Sequence, residues 1–176
     1  IMIKNKKTKL KGLIILKDKI YKDNRGNLRE AFNKKHIKRN LCLSIVSISK
    51  KNVLRGLHLQ TRKSQDKLIS VLKGRILDVV VDLRKNSKTY GKYFKIILSE
   101  KNAKYLFIPR GFAHGFLGLD KENIVLYSCS NLRFSKYERS IKWNDQDLKI
   151  RWGVKNPILS KRDKSALSLK DFIKFN

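Results

Sequence analysis

Short apolar runs rich in β-branched residues recur along the chain, each closed by a cluster of turn-forming residues. They fall at 44–49, 68–72, 76–83, 93–98, 104–108 and 124–129, with breaks at 73–74, 85–91, 99–102 and 120–123. Runs of this length and composition, bounded by Gly, Asn, Asp and Ser, read as strands. Many of them at regular spacing, with few helical patterns between, predict an all-β antiparallel sandwich or barrel. Residues 29–37 could form one short helix. Another is expected near Asp163, where Ser165, Leu167, Leu169 and Phe172 give a partial apolar face. No internal repeat, low-complexity tract or Pro-rich linker divides the chain, so residues 1–176 are expected to form a single domain.

Two segments depart from this plain pattern. Arg55-Gly56-Leu57-His58-Leu59-Gln60 and Ile108-Pro109-Arg110-Gly111-Phe112-Ala113-His114-Gly115-Phe116 hold two of the three histidines in the sequence. Each histidine lies close to a glycine and an arginine in a stretch apolar enough to be a strand. Histidine takes or gives a proton near neutrality, and two on neighbouring strands of a β domain predict a proton-transfer site. A lone histidine in such a stretch reads better as a satisfied core imidazole. The pair, with Arg55 three residues before His58, favours the site. That spacing is wrong for one face of a regular strand, so a bulge or bend is expected if both residues face one cavity.

Charge and composition narrow the function. The formal charge is +29, from 43 basic and 14 acidic residues among 176. Clustered Lys and Arg would point to a polyanion, but here they run from end to end, with no Arg-rich block interleaved with aromatics, no zinc-finger spacing and no P-loop. Nucleic acid is therefore not the expected partner. A positive field still helps draw in a dianionic ligand. No stretch approaches the roughly 20 apolar residues that span a bilayer, and the apolar run at 12–16 is too short for a signal peptide. No membrane association and a cytoplasmic location are expected. Cys42 and Cys129 show no metal-ligand spacing and need not pair.

The two histidine segments together resemble the signature segments of the dTDP-4-dehydrorhamnose 3,5-epimerase family, cupin-type enzymes that invert centres in 4-keto nucleotide sugars. The likeness runs from Tyr21-Lys22-Asp23-Asn24-Arg25-Gly26 through Lys67-Leu68-Ile69, Asp78-Val79-Val80-Val81-Asp82-Leu83-Arg84 and Trp143-Asn144-Asp145 to Ile158-Leu159-Ser160-Lys161-Arg162-Asp163. It implies a cupin double-stranded β-helix, or jelly roll, paired as a homodimer. The implied substrate is dTDP-4-dehydro-6-deoxy-glucose or a related 4-keto nucleotide sugar, in synthesis of a rhamnose-type deoxysugar for surface polysaccharide. The ketone is itself the electron sink, so no cofactor, neither nicotinamide nor metal, is expected. Alternatives remain open: an epimerase of one centre or another nucleotide, a 3,4-ketoisomerase, or a non-catalytic cupin binding sugar nucleotide or nucleic acid.

Residue roles follow from the resemblance position by position. It makes His58 the base and Asp163 the carboxylate that orients it, although from the sequence alone Asp163 reads as a helix N-cap. It makes Tyr127 the acid, where the bare sequence suggests a packed strand aromatic. Lys67 would lie beside the sugar carbonyl, with Arg55 as a second cation and His114 as a substrate contact. Arg25, Glu30, Glu138 and Lys161 would serve the nucleotide. The departures concern recognition. Leu43 and Ile45 stand where the family typically has glutamine and asparagine, Arg133 replaces a common tyrosine, and Leu28 replaces an aromatic. The catalytic set is intact.

Overall fold

A computed structural model of the chain describes residues 4–35 and 37–175. Its strands are β1 (Lys4–Lys7), β2 (Ile14–Lys17), β3 (Tyr21–Asp23), β4 (Gly26–Leu28), β5 (Leu43–Lys50), β6 (Leu54–Gln60), β7 (Lys67–Lys73), β8 (Arg75–Asp82), β9 (Tyr93–Ser99), β10 (Lys104–Ile108), β11 (Phe112–Gly118), β12 (Glu122–Cys129) and β13 (Glu138–Ser140). Two short helices, α1 (Lys161–Lys164) and α2 (Leu169–Phe175), follow. Six strands join in the order β1-β2-β10-β7-β12-β5 and five in the order β13-β6-β11-β8-β9, while β3 and β4 form a separate hairpin. This non-sequential antiparallel arrangement in two facing sheets is the cupin jelly roll that the sequence led us to expect.

Alternation along the strands explains the layering. Ile69, Val71 and Val125 of the larger sheet meet Ile76, Val80, Phe112 and Phe116 of the smaller one in a buried core between the sheets. Their odd-and-even neighbours Val79, Val81, Leu57, Leu59 and Ala113 point the other way, where Trp152, Leu169 and Phe172 cover them. Successive strand side chains alternate faces, so one sheet feeds two cores. The six strands expected from the apolar runs are all present, with ends within two residues of expectation.

The expected helices are corrected. Residues 29–35 and 37 form no helix; His36 lies outside the described residues. Tertiary partners hold this segment irregular. The Arg29 guanidinium donates to the carbonyls of Val71 and Glu100 and stacks over Tyr105, whose hydroxyl donates to the Glu30 carbonyl. Ile37 is buried with Leu68 and Phe107, so the segment roofs the outer face of the larger sheet. Near the C-terminus the single expected helix is two. Ser160, not Asp163, caps α1, its hydroxyl accepting from the Asp163 amide at 3.1 Å. The chain then leaves helical geometry to pair Leu167 with Ile141 before α2 begins.

Candidate active site

A cavity of about 500 Å³ opens between the two sheets, with His58 and His114 on one wall and Tyr127 and Lys67 on the other. Register places them there. His114 pairs directly with His58 across β6 and β11. Cys129 pairs with Lys67, and Tyr127 with Ile69, across β7 and β12. Directly opposed residues share a face, so each wall presents its chemistry inward as a set.

Arg55 joins them through a bulge. From His58 to Arg55 the β6 strand advances three residues while β11 advances two, from His114 to Phe116. The extra residue turns Arg55 and His58 to the same cavity. Glycine makes this possible. Gly56 has φ 131°, and a Cβ there would lie 2.5 Å from the Gly115 Cα; a Cβ on Gly115 would lie 2.8 Å from the Arg55 carbonyl oxygen. Two backbones approach where neither can carry a side chain.

His58 Nε2 lies 2.5 Å from Asp163 Oδ1. His58 is about one-third exposed to the cavity, whereas the Asp163 side chain is nearly fully buried. Asp163 Oδ2 accepts from the Ser160 hydroxyl at 3.0 Å. Burial pushes the Asp163 carboxyl up, but the hydrogen bond and charge of His58, with Ser160 and the Gly56 amide, outweigh it and hold Asp163 below its ordinary value. An ionised Asp163 therefore fixes a ring proton on Nε2 and leaves Nδ1 as the nitrogen available for proton abstraction.

His114 is set deeper. Its Nε2 lies 2.8 Å from Asp78 Oδ2, with both side chains buried. Asp78 Oδ1 has no partner among the described residues. The His114 ring meets the Tyr127 ring edge-on, with centroids 5.8 Å apart. Burial, then the negative charge of Asp78, pushes the Tyr127 phenol well above its usual value, against the pull of Arg55. Tyr127 thus keeps its proton until a strongly basic acceptor forms.

Lys67 is recessed in the wall yet opens onto the cavity. Burial lowers its pKa from the ordinary ammonium value, while Cys129, Glu138 and Asp78 favour the charged form. Arg55 is held by Ser49 Oγ at 2.9 Å and the Ile48 carbonyl at 3.2 Å. At the rim, Glu138 accepts from Arg133 Nε at 2.6 Å and Arg162 Nη1 at 2.5 Å. The Arg133 hydrogen bond, aided by Arg162 and opposed by burial, holds Glu138 down at about 2. No group of three His, Cys, Asp or Glu side chains that could hold a metal exists among the described residues.

Of the residues singled out from the sequence, His58, Tyr127, Asp163, Lys67, Arg55, His114 and Glu138 line this one cavity. Arg25, Glu30 and Lys161 do not. Arg25 is ion-paired with Asp23 on the exposed β3–β4 hairpin, and Glu30 accepts from Asn33 at 2.8 Å. Lys161 is exposed, and its neighbour Arg162 lines the cavity instead. Consecutive helical residues point about 100° apart, so only one of the two can face inward. Arg162, Gln65 and Asp78 went unassigned. Asp78 alone carried a usable signal, a lone acid inside the apolar run Ile76 to Val81.

Residues 7–171 match the family described as dTDP-4-dehydrorhamnose 3,5-epimerase. A dTDP-4-dehydrorhamnose 3,5-epimerase of Methanothermobacter thermautotrophicus is 44% identical over 94% of each chain. The chain belongs to the dTDP-4-dehydrorhamnose 3,5-epimerase family. It is accordingly an isomerase of the racemase and epimerase class. The epimerase of Legionella pneumophila, solved in complex with dTDP-4-keto-L-rhamnose, superposes with a TM-score of 0.92 at 37% identity, covering 96% of this chain and 94% of that one. A 3'-monoepimerase of Streptomyces bikiniensis, ChmJ, superposes with a TM-score of 0.89 at 27% identity, covering 96% and 89%. In this epimerase the positions that the resemblance marked as departures divide by place. Ile45 and Arg133 line the cavity and Leu43 does not, whereas Leu28 is 73% exposed on the hairpin. No helix among the described residues is long and apolar enough to cross a membrane.

Proposed function

We propose that this chain is a nucleotide-sugar 3,5-epimerase acting on dTDP-4-dehydro-6-deoxy-glucose or a close relative, in deoxysugar synthesis of the rhamnose type. One observation carries the mechanism: His58 and Tyr127 rise from opposite sheets into one cavity. The 4-ketone acidifies the hydrogens on carbons 3 and 5. His58 Nδ1 removes one, its imidazolium stabilised by Asp163, and the electron pair moves onto the ketone oxygen as an enolate. Lys67 and Arg55 supply positive charge for that oxygen. Tyr127 returns a proton from the other wall, so the centre inverts. His114, held by Asp78, packs against Tyr127 and the sugar.

A homodimer accompanies this reading. Val46 and Ile48 are 56% and 62% exposed on the outer face of β5, an edge strand. Exposed apolar residues on a sheet edge mark an interaction surface, and a second copy is its proposed occupant. Arg25 and Glu30, off the cavity of their own chain, can serve a nucleotide only from such a copy. Sedimentation of wild type and Ile48→Lys tests this: a dimer that dissociates in the variant is expected, and a monomeric wild type refutes it.

The reaction is tested by incubating the protein with dTDP-4-keto-6-deoxyglucose in deuterated water and locating deuterium by NMR. Incorporation at carbons 3 and 5 is expected. Incorporation at one carbon assigns a single-centre epimerase, and a displaced ketone assigns a ketoisomerase.

A further inference from the structure

Four cationic side chains line the cavity, Arg55, Lys67, Arg133 and Arg162, against the two carboxylates Glu138 and Asp163. Cations outnumber carboxylates in this lining, which suits an anionic ligand such as a diphosphate. The four cations are not equivalent. Arg55 is tied to Ser49 and Ile48 on the inner strand. Lys67 sits in the wall beside the proton-transfer pair. Arg162 is anchored twice, at Ser140 Oγ 2.8 Å away and at Glu138. Arg133 is different: its side chain is 59% exposed, and Glu138 is its one ion-pair partner among the described residues.

We infer that Arg133 is the diphosphate-gripping arm of this cavity, parked on Glu138 until a ligand arrives. The inference rests on the nucleotide-sugar reading above and extends it to how the substrate is held. The fork Arg133 makes with Glu138, Nε to Oε1 at 2.6 Å and Nη2 to Oε2 at 3.1 Å, is the geometry in which it can grip two oxygens of an anion. A guanidinium closing on phosphate with two parallel bonds makes one of the stronger polar contacts. Glu138 is not stranded by the exchange, because Arg162 keeps its Oε2. The carboxylate thereby holds the arm at the rim until an anion of higher charge competes for the fork.

Calorimetric titration with dTDP and with thymidine separates phosphate grip from base recognition. In Arg133→Ala, dTDP affinity is expected to fall about 10- to 100-fold, the range of a hydrogen bond to a charged group, with thymidine affinity unchanged. Arg133→Lys recovers part of the loss, keeping the charge without the fork. Glu138→Gln tightens dTDP binding, and that gain disappears in the Arg133→Ala background. On the keto sugar, Arg133→Ala raises KM and leaves kcat for deuterium exchange near wild type. Equal dTDP affinity in wild type and Arg133→Ala, parallel losses for dTDP and thymidine, or weaker dTDP binding in Glu138→Gln would each overturn the inference. Wild-type exchange measured alongside keeps the two readings apart. If wild type exchanges normally while Arg133→Ala binds dTDP unchanged, only the arm fails; if dTDP binding depends on Arg133 but no sugar proton exchanges, the arm stands and the epimerase reading falls.

Discussion

Replacing Asp163 by asparagine isolates what the buried carboxylate does for His58. The change keeps size and shape, and the site is 4% exposed, so little repacking is expected. Asp163 accepts from His58 through Oδ1 and from Ser160 through Oδ2. An amide can fit in two ways. With its oxygen towards His58, the ring tautomer survives and only the charge is lost. The imidazolium formed on proton abstraction then lacks a charge-assisted hydrogen bond of about 1.5–3 kcal/mol. At about 1.4 kcal/mol per factor of ten, that is roughly a 10- to 150-fold fall in rate. With its NH₂ towards His58, the ring must accept at Nε2 and carry its proton on Nδ1. The base is then blocked, and a fall near 10⁴-fold is expected, the scale seen when a triad aspartate becomes asparagine. The assay is deuterium incorporation into the keto sugar, with thermal melting as a control for folding. An Asp163→Asn protein that melts with wild type and exchanges at the wild-type rate would remove Asp163 from the mechanism.

Other outcomes follow from the same geometry. His58→Ala should abolish exchange and product formation together, whereas Tyr127→Phe should retain exchange at His58 and slow inversion by about 10²-fold or more; inversion at the wild-type rate would show that the acid lies elsewhere. Activity should survive exhaustive chelation, and loss restored by a divalent ion would contradict the assignment of charge stabilisation to Lys67 and Arg55. Acid should destabilise the fold through Asp163 and Glu138, both held below their ordinary values. A depressed pKa stabilises the folded state above the unfolded value, and that contribution is lost as pH falls through the folded one. For Glu138 the window runs from 4.5 down to about 2, so urea midpoints should drop across it in wild type and less steeply in Glu138→Gln.

Much of this was legible because strand chemistry is periodic. The runs at 68–72 and 76–83 alternate or saturate with β-branched residues, and each became a strand close to its expected ends. The bulge, too, was written in the sequence: Arg55 and His58 three apart could share a cavity only if the strand slipped, and Gly56 lies where it does. The failures share a cause. Residues 29–35 carry helix-forming types, but Arg29 finds carbonyls on β7 and beyond β9, and tertiary bonds override a weak local propensity. Lys161 and Arg162 are adjacent, both basic, and indistinguishable until the phase of α1 decides which faces inward.

That contrast separates two levels of the site. The cavity residues His58, Lys67 and Tyr127 are placed by register: His58 opposite His114, Lys67 opposite Cys129, Tyr127 opposite Ile69. A one-residue slip would send every one of them to the wrong face, so the chemistry is bound to the same hydrogen bonds that hold the sheets together. The rim obeys no such rule. Arg133 follows β12 outside any strand, so substitution there disturbs no ladder, although its partner Glu138 pairs with Gln60 at the start of β13. Ile45 lies between these levels, in register beside Tyr127 yet presenting only an alkyl side chain to the cavity. On the proposed mechanism, selectivity for the nucleotide can therefore drift at the rim while proton transfer stays fixed by the fold. In a chain with 43 basic residues, the position of one arginine relative to one glutamate tells more about the ligand than the total charge does.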